Sequence, residues 1–272
     1  MKKALYIILI VVLLVAFGVS AFQVGTYLLE GKKQEDRYDE LTALKEQAAA
    51  AATETTGEPE ETEAVETTEE ETVCLTAENG MLLGYDELYE MNSDVVGWIR
   101  MEGTKMDYPV MQTPDSTDFY LYRNFDKENS NQGSIYAREV CDVFEPSDNI
   151  TIYGHNMANG NMFACLNDYV DKEAWEYNSL IFFDTLYEYH TYKIFAVFKT
   201  TAALGKGFTY HQFVDAEDEE DFNEFVQTCK DLAFYDTGIT PQYGDKMICL
   251  STCEYTDPYG NGRLVVAAVR ID

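Results

Sequence analysis

Basic residues are scarce in this 272-residue chain: 19 Lys and Arg stand against 49 Asp and Glu, for a formal net charge of −30. The deficit is not confined to one end. Residues 1–80 hold 6 basic and 16 acidic groups, and the remainder holds 13 and 33. Binding a phosphate backbone needs a basic footprint. None is present, so nucleic acid is excluded as a partner. Histidine is scarce too, with three in all, and the six cysteines are irregularly spaced. No two cysteine pairs stand at the ligand spacing a structural zinc site requires, and no internal repeat is present. What the chain does have is apolar and aromatic content: 46% hydrophobic residues, with 20 Tyr and 15 Phe. That composition favours strands and supports a core large enough to dispense with disulfide staples.

The N-terminus carries a long uncharged run. "MKKALYIILIVVLLVAFGVSAFQVGTYLLEGKK" has Lys2 and Lys3 ahead of it and no charged residue from Ala4 through Leu29. Those 26 positions are enough to cross about 30 Å of hydrocarbon at about 1.5 Å per residue. The two lysines place the N-terminus in the cytoplasm (residues 1–3) and the rest of the chain outside. A cleaved signal peptide is the rival reading, with "VSA" at Val19–Ala21 as the cleavage site, but the run exceeds the usual apolar length of such peptides. Residues 30–80 read as an acidic tether. Its first part has the composition of a charged helix. From Glu54 to Glu71 there are nine glutamates and no basic residue, a segment that cannot repay its ordering entropy by burial.

Complexity returns at about Met81, and residues 81–272 read as one globular domain. "YDELYEMNSDVVGWIRMEG" starts as a helix that ends near Gly97. "MDYPVMQ" is an edge strand broken by Pro109. Short runs rich in Ile, Val, Tyr and Phe follow, bounded by Gly, Asn and Asp, as strands are. They include "GSIYA", "NITIYG", "KMICLST" and "RLVVAAVRI". In "NMFACLNDYV", Met162, Phe163, Leu166, Tyr169 and Val170 share a helical face. In "DAEDEEDFNEFVQTCKDL", Asp215 caps a helix whose stripe is Phe222, Phe225, Val226, Cys229 and Leu232. The pattern is mainly β, a barrel or sandwich with a few helices.

The chemistry-bearing residues cluster late. His190 and His211 sit among aromatics and read as structural or surface groups. His155 lies just past "NITIY", beside Gly154, which permits a tight turn towards a cleft. In "MICLSTC", Met247, Cys249, Ser251 and Cys253 share one strand face, and in "RLVVAAV" Arg263, Val265, Ala267 and Val269 do the same. A loop containing Pro258, Gly260 and Gly262 joins the two runs as antiparallel neighbours, with Cys253 opposite Arg263 at the mouth. A guanidinium there favours the thiolate and donates hydrogen bonds to an oxyanion. A Cys249–Cys253 disulfide would have to span about 13 Å along a strand, beyond the reach of about 7 Å. Two readings of Cys253 remain open on these grounds, an inert core thiol or a nucleophile.

"TIYGHNM" at 151–157, "LSTCEY" at 250–255 and Arg263 ten residues past the cysteine resemble the sortases of Gram-positive bacteria. "DVVGWIRMEGTKMDYPVMQ", "FYLYRNFDKENSNQGSIYA" and the helical insert before the final hairpin resemble the class B branch. The resemblance implies a closed eight-stranded β-barrel with N-terminal helices, and a membrane-anchored cysteine transpeptidase that needs no metal or cofactor. Cys253 would attack the Thr–x bond of a C-terminal sorting signal on a secreted protein. His155 would shuttle the proton, and Arg263 would bind the substrate carbonyl or oxyanion. An amine of the peptidoglycan cross-bridge or its lipid-linked precursor would resolve the thioacyl-enzyme. Leu121, Tyr210, Ser251 and Glu254 carry over as substrate-binding positions. Where the family commonly has Asn ahead of Leu121, this chain has Ser116 or Thr117. A pilin-polymerising sortase uses a lysine as acceptor instead, and a catalytically silent sortase-like binding module would lack the intact His155, Cys253 and Arg263 set. An L,D-transpeptidase keeps Cys and His far closer than here and has a Ser-x-Gly-Cys pattern that "LSTCEY" lacks.

Overall fold

The computed structural model describes residues 2–55, 76–203, 205–257 and 259–272. The Glu/Thr-rich stretch from residue 56 onward and Cys74 lie outside the described residues. The chain divides into two compact units, Met1–Leu41 and Thr42–Asp272. Helix α1 (Lys2–Thr55) is continuous, as expected for its uncharged run and for the charged helix after it. It is the one helix among the described residues long and apolar enough to cross a membrane.

The second unit is built on eight strands: β1 (Val95–Arg100), β2 (Asp107–Met111), β3 (Ile135–Ala137), β4 (Asn149–Tyr153), β5 (Leu180–Thr185), β6 (Thr191–Thr201), β7 (Met247–Cys253) and β8 (Gly262–Arg270). They close into a barrel in the order β1-β2-β3-β4-β7-β8-β6-β5. The β2–β3 and β4–β7 pairs are parallel and the other pairs antiparallel. Parallel neighbours need long crossovers, and because β3 and β4 are antiparallel the first crossover ends at the end of the barrel from which the second departs.

Three helices join this unit. α2 (Tyr85–Met91) precedes the barrel, α3 (Lys172–Tyr177) precedes β5, and α4 (Glu219–Leu232) lies in the insert between β6 and β7. Strands β7 and β8 are buried on both faces. Ile248, Leu250, Leu264, Val266 and Ala268, all fully buried, form one face and point into the closed barrel. Met247, Cys249, Val265, Ala267 and Val269 form the other and pack under Phe222, Phe225, Val226 and Cys229 of α4. Phe213 stacks on Phe225 with centroids 4.0 Å apart. The alternation expected for both strands is therefore observed, with α4 as the outer cover.

Five local expectations need correction. The helix before β1 stops at Met91, and Gly97 lies inside β1 at a register shift against β2. A Cβ there would run into the Asp184 carbonyl oxygen of the neighbouring strand. Glycine is thus demanded by close backbone approach rather than by a helix end. Pro109 does not break β2, because it pairs with Trp98, while β3 joins β2 only at Val110 and Met111. The cap of α4 is Asp218, whose side chain accepts from the Asp221 amide, whereas Asp215 accepts from the Asp148 amide. The buried stripe of α4 ends at Cys229, since Leu232 is 41% exposed. The "NMFACLNDYV" segment forms a 3-10 helix, Phe163–Val170, that buries Phe163, Leu166 and Tyr169.

Gly97→Ala should destabilise the fold by about 1–3 kcal/mol or more, because the added methyl must displace strand backbone. Guanidinium unfolding followed by tryptophan fluorescence checks this, and an unchanged midpoint would contradict the close approach.

Candidate active site

Strand register sets the site. In the parallel β4–β7 pair each residue faces the one 98 positions later, from Asn149 with Met247 to Tyr153 with Ser251. His155 and Cys253 have that same separation. The chain past β4 stays attached to β7: the Gly154 amide donates to Ser251 O (3.1 Å) and Thr252 Oγ1 donates to Gly154 O (2.8 Å). In the antiparallel β7–β8 pair, Cys253 faces Arg263, as the alternation predicts. Three chemistry-bearing residues from three adjacent chain segments thus arrive at one height.

A cavity of about 250 Å³ opens at this height. Of the seven positions singled out in the sequence, six line it: Leu121, His155, Tyr210, Ser251, Cys253 and Arg263. Glu254 does not. Its amide donates to Gly262 O (2.9 Å), closing the mouth of the hairpin, and its carboxylate takes Thr256 Oγ1 (2.7 Å) and Lys199 Nζ (3.1 Å). Burial works to raise its pKa, but the Thr256 and Lys199 interactions prevail and hold it below the usual carboxylate value.

His155 sits at its turn because Gly154 leaves room: a Cβ on Gly154 would lie 2.5 Å from Ile135 Cδ1 and 2.7 Å from the Phe163 ring. Gly154 has no positive φ, so space rather than a left-handed turn demands the glycine. His155 Nε2 is 2.7 Å from Leu121 O. A carbonyl only accepts, so Nε2 carries the hydrogen and Nδ1 is the nitrogen left to exchange a proton. Leu121 therefore acts on the site through its backbone oxygen. The Tyr122 ring lies against the imidazole with centroids 5.6 Å apart.

Beneath the thiol, Ser251 Oγ and Tyr210 Oη are hydrogen-bonded at 2.5 Å, both buried. Burial pushes the Tyr210 phenol up to about 12, against the opposing effects of the Ser251 bond and the Arg263 charge. Tyr210 thus stays a neutral hydroxyl over any physiological range. Arg263 donates from Nη1 to Gly262 O (2.8 Å), which spends one of its five donors.

Sequence reasoning missed Asn156. Its Nδ2 donates to Cys253 O (2.9 Å), its Oδ1 accepts from Asn167 Nδ2 (2.9 Å), and its backbone oxygen accepts from Tyr255 Oη (2.7 Å). It ties the histidine loop to the cysteine and to the Phe163–Val170 helix. Its place beside His155 was the available signal. His211, taken as structural, also lines the cavity. Burial, then the Arg138 and Arg263 charges, lower its pKa. His190 instead faces Glu188 and Asp272 (3.3 and 3.5 Å) away from the cavity. Asp118, Tyr136 and Tyr153 complete the far wall.

The described cysteines are all free thiols in unequal settings. Burial raises Cys141, Cys229 and Cys249, and pushes the half-buried Cys165 up to about 11. At pH 8 a thiol with such a pKa is only about one thousandth thiolate. In a Cys74→Ala background, a maleimide at pH 8 should label Cys253 at least tenfold faster than the other four, read by peptide mapping. Equal labelling of Cys165 would contradict this ordering.

The sortase domain model matches residues 99–271. Sortase B of Listeria monocytogenes is 33% identical over 181 residues, covering 66% of this chain and 71% of that protein. Sortase B of Staphylococcus aureus is 30% identical over 186 residues, covering 68% and 73%. A solved Staphylococcus aureus sortase B-substrate complex matches with a TM-score of 0.73 at 24% identity, over 90% of this chain and 99% of that one, a likeness of fold. A closed mixed barrel carrying a thiol, an imidazole and a guanidinium at one height, together with these matches, makes the chain a member of the sortase family in its class B branch, a cysteine transpeptidase.

Proposed function

We propose that the enzyme cleaves a C-terminal sorting signal at a Thr–x bond and transfers the protein to a peptidoglycan amine. The observation that carries this reading is the shared height of His155, Cys253 and Arg263 on adjacent segments. The Cys253 thiolate adds to the threonine carbonyl, and Arg263 offers its unspent N–H groups to the oxyanion. The C–N bond breaks as His155 delivers a proton from Nδ1 to the leaving amine, giving a thioester and a free amine. An incoming amine then attacks the thioester. His155 takes its proton, an amide forms and the thiolate leaves.

Each neighbour has a part in this scheme. Leu121 O holds the imidazole in the tautomer the proton transfer needs. Tyr210 and Ser251 form a polar floor that contacts the signal. Glu254 supports the nucleophile by fixing the hairpin mouth. The uncharged part of α1, residues 4–29, crosses the membrane once with residues 1–3 in the cytoplasm. The end of α1, residues 42–55, belongs to the same compact unit as the barrel, and this unit acts outside, where secreted substrates and cell-wall precursors meet. The acidic surface repels nucleic acid and leaves cationic peptides as natural ligands.

The test uses the full chain in detergent with quenched fluorogenic signal peptides and a set of acceptors, namely triglycine, a diamino acid stem peptide and a lysine-bearing protein. Cleavage and ligation by the native chain, both abolished in Cys253→Ala, are expected. Arg263→Ala should lower kcat by about 10²–10³-fold, the cost of an oxyanion donor, with KM changed far less. Ligation only to the lysine protein would assign the enzyme to pilin polymerisation. No cleavage of any signal would leave a silent binding module.

A further inference from the structure

The hydrogen bonds of a parallel ladder are evenly spaced and recur at every second residue. In the β4–β7 pair the Gly154 amide donates to Ser251 O at 3.1 Å, so the next rung runs from residue 156 to Cys253 O. That rung is present, but a side chain supplies it: Asn156 Nδ2 donates to Cys253 O at 2.9 Å. The main chain has by then turned aside. Asn156 forms an antiparallel bridge with Met162, and the Phe163 amide donates to His155 O at 2.9 Å. This turn takes His155 out of the sheet and into the lining of the cavity. The Asn156 amide thus carries the ladder one rung further than the backbone does.

The orientation of that amide is set by its partners. Asn167 Nδ2 donates to Asn156 Oδ1 at 2.9 Å, and Asn156 Nδ2 donates back to Asn167 Oδ1 at 3.2 Å. One N–H of Asn156 serves this reciprocal pair and the other serves Cys253 O. A flipped amide would set oxygen against oxygen at Cys253 and nitrogen against nitrogen at Asn167. The accepting carbonyl belongs to the peptide between Cys253 and Glu254. At the other side of that peptide the Glu254 amide donates to Gly262 O at 2.9 Å, and Gly262 O also accepts from Arg263 Nη1 at 2.8 Å. A continuous run of hydrogen bonds therefore passes from the residue after His155, through the nucleophile's own peptide, to the anchor of Arg263. Bonds in such a run polarise and strengthen one another.

We propose that Asn156 is a positioning residue for acyl transfer: by holding Cys253 O it sets the direction of the Cys253 thiol relative to His155 and Arg263. The inference rests on the transpeptidation reading for the roles of those three residues. With both sides of its peptide held, Cys253 keeps one backbone conformation, and that conformation limits the rotamers open to Sγ. The main chain joins Asn156 to His155, so one bond couples thiol and imidazole while touching neither. Aspartate has the shape of asparagine but no donor. At this position it would turn an oxygen towards Cys253 O and release the peptide.

The test compares Asn156→Asp, Asn156→Ala and Asn167→Ala in the full chain in detergent, in a Cys74→Ala background, with two acyl donors. One is the fluorogenic sorting-signal peptide. The other is p-nitrophenyl acetate, which asks for no signal recognition. The Cys253 thiolate displaces p-nitrophenolate from it, and the burst missing from Cys253→Ala counts the reactive thiol. Water then adds to the acetyl thioester, His155 takes its proton, and the C–S bond breaks to give acetate and the thiolate. Per titrated thiol, Asn156→Asp should lower kcat for the sorting-signal peptide by about 10²-fold, the cost of misplacing a reacting group by about 1 Å, with KM changed within about threefold. Asn156→Ala should cost about tenfold and Asn167→Ala, which leaves the bond to Cys253 O, about two- to threefold, the range of single hydrogen bonds. Both Asn156 variants should keep the burst amplitude and slow acetate release. A full burst with slowed acetate release in Asn156→Asp, in a chain that cleaves no sorting signal, would support the positioning role and remove the sorting-signal reading. Sorting-signal turnover unchanged in Asn156→Asp, or a loss matched by lost burst amplitude, would overturn the role of Asn156 and leave transpeptidation standing. So would an Asn167→Ala loss as large as that of Asn156→Asp, which would assign the effect to tethering of the loop.

Discussion

The site depends on one constraint, the register of β7 against its two neighbours. A slip of one residue exchanges the two faces of a strand. Here both faces of β7 are committed, one to the barrel interior and one to α4. The parallel pairing with β4 and the antiparallel pairing with β8 are each pinned by that double burial. The height of Cys253 relative to His155 and Arg263 follows from packing in the strand interior, several residues from the chemistry. A scaffold of this kind holds reactive groups more accurately than loops do.

The face that Cys253 occupies explains why it differs from the thiol two residues before Ser251. Cys249 lies under α4 and is fully buried, with a pKa raised by burial. Cys253 continues the same face past the end of that cover, where the cavity begins. Between them Ser251 meets Tyr210, which arrives from the insert that also supplies α4. The insert thus does two jobs with one chain segment. Its helix closes the apolar half of the face, and its leading 3-10 turn supplies the polar floor where the apolar half ends.

Local features were legible in the sequence and long-range pairings were not. The hairpin of "MICLSTC" and "RLVVAAV" was readable because its strands are consecutive and their alternation is strict, so Cys253 and Arg263 could be set opposite each other from period alone. The closeness of His155 came only through resemblance, because nothing local says that β4 pairs with a strand 98 residues away. The misread details have similar causes. Gly97 looked like a helix stop because its reason, the Asp184 carbonyl, lies on β5. Asp215 and Asp218 both precede an apolar stripe, and only the tertiary bond from the Asp148 amide shows that Asp215 is engaged elsewhere. Glu254 stands beside Cys253 in sequence, yet strand alternation turns it to the opposite side, towards Lys199.

The two parallel pairs also explain where function collects. A parallel neighbour cannot be reached by a tight turn, so β2 to β3 and β4 to β7 each require a long excursion. The first excursion carries Asp118 and Leu121, and the second carries His155, Asn156, Tyr210 and His211. Because β3 and β4 run antiparallel, the first excursion enters β3 at the rim from which the second leaves β4, and the two meet there. An all-antiparallel barrel of the same strands would close with short turns and have little chain to spend there. The hydrogen bond from His155 to Leu121 O joins the two excursions directly. It makes the orientation of the imidazole depend on the turn that also holds Asp118. The imidazole and the turn ahead of it are in this way held at a single junction between two crossovers.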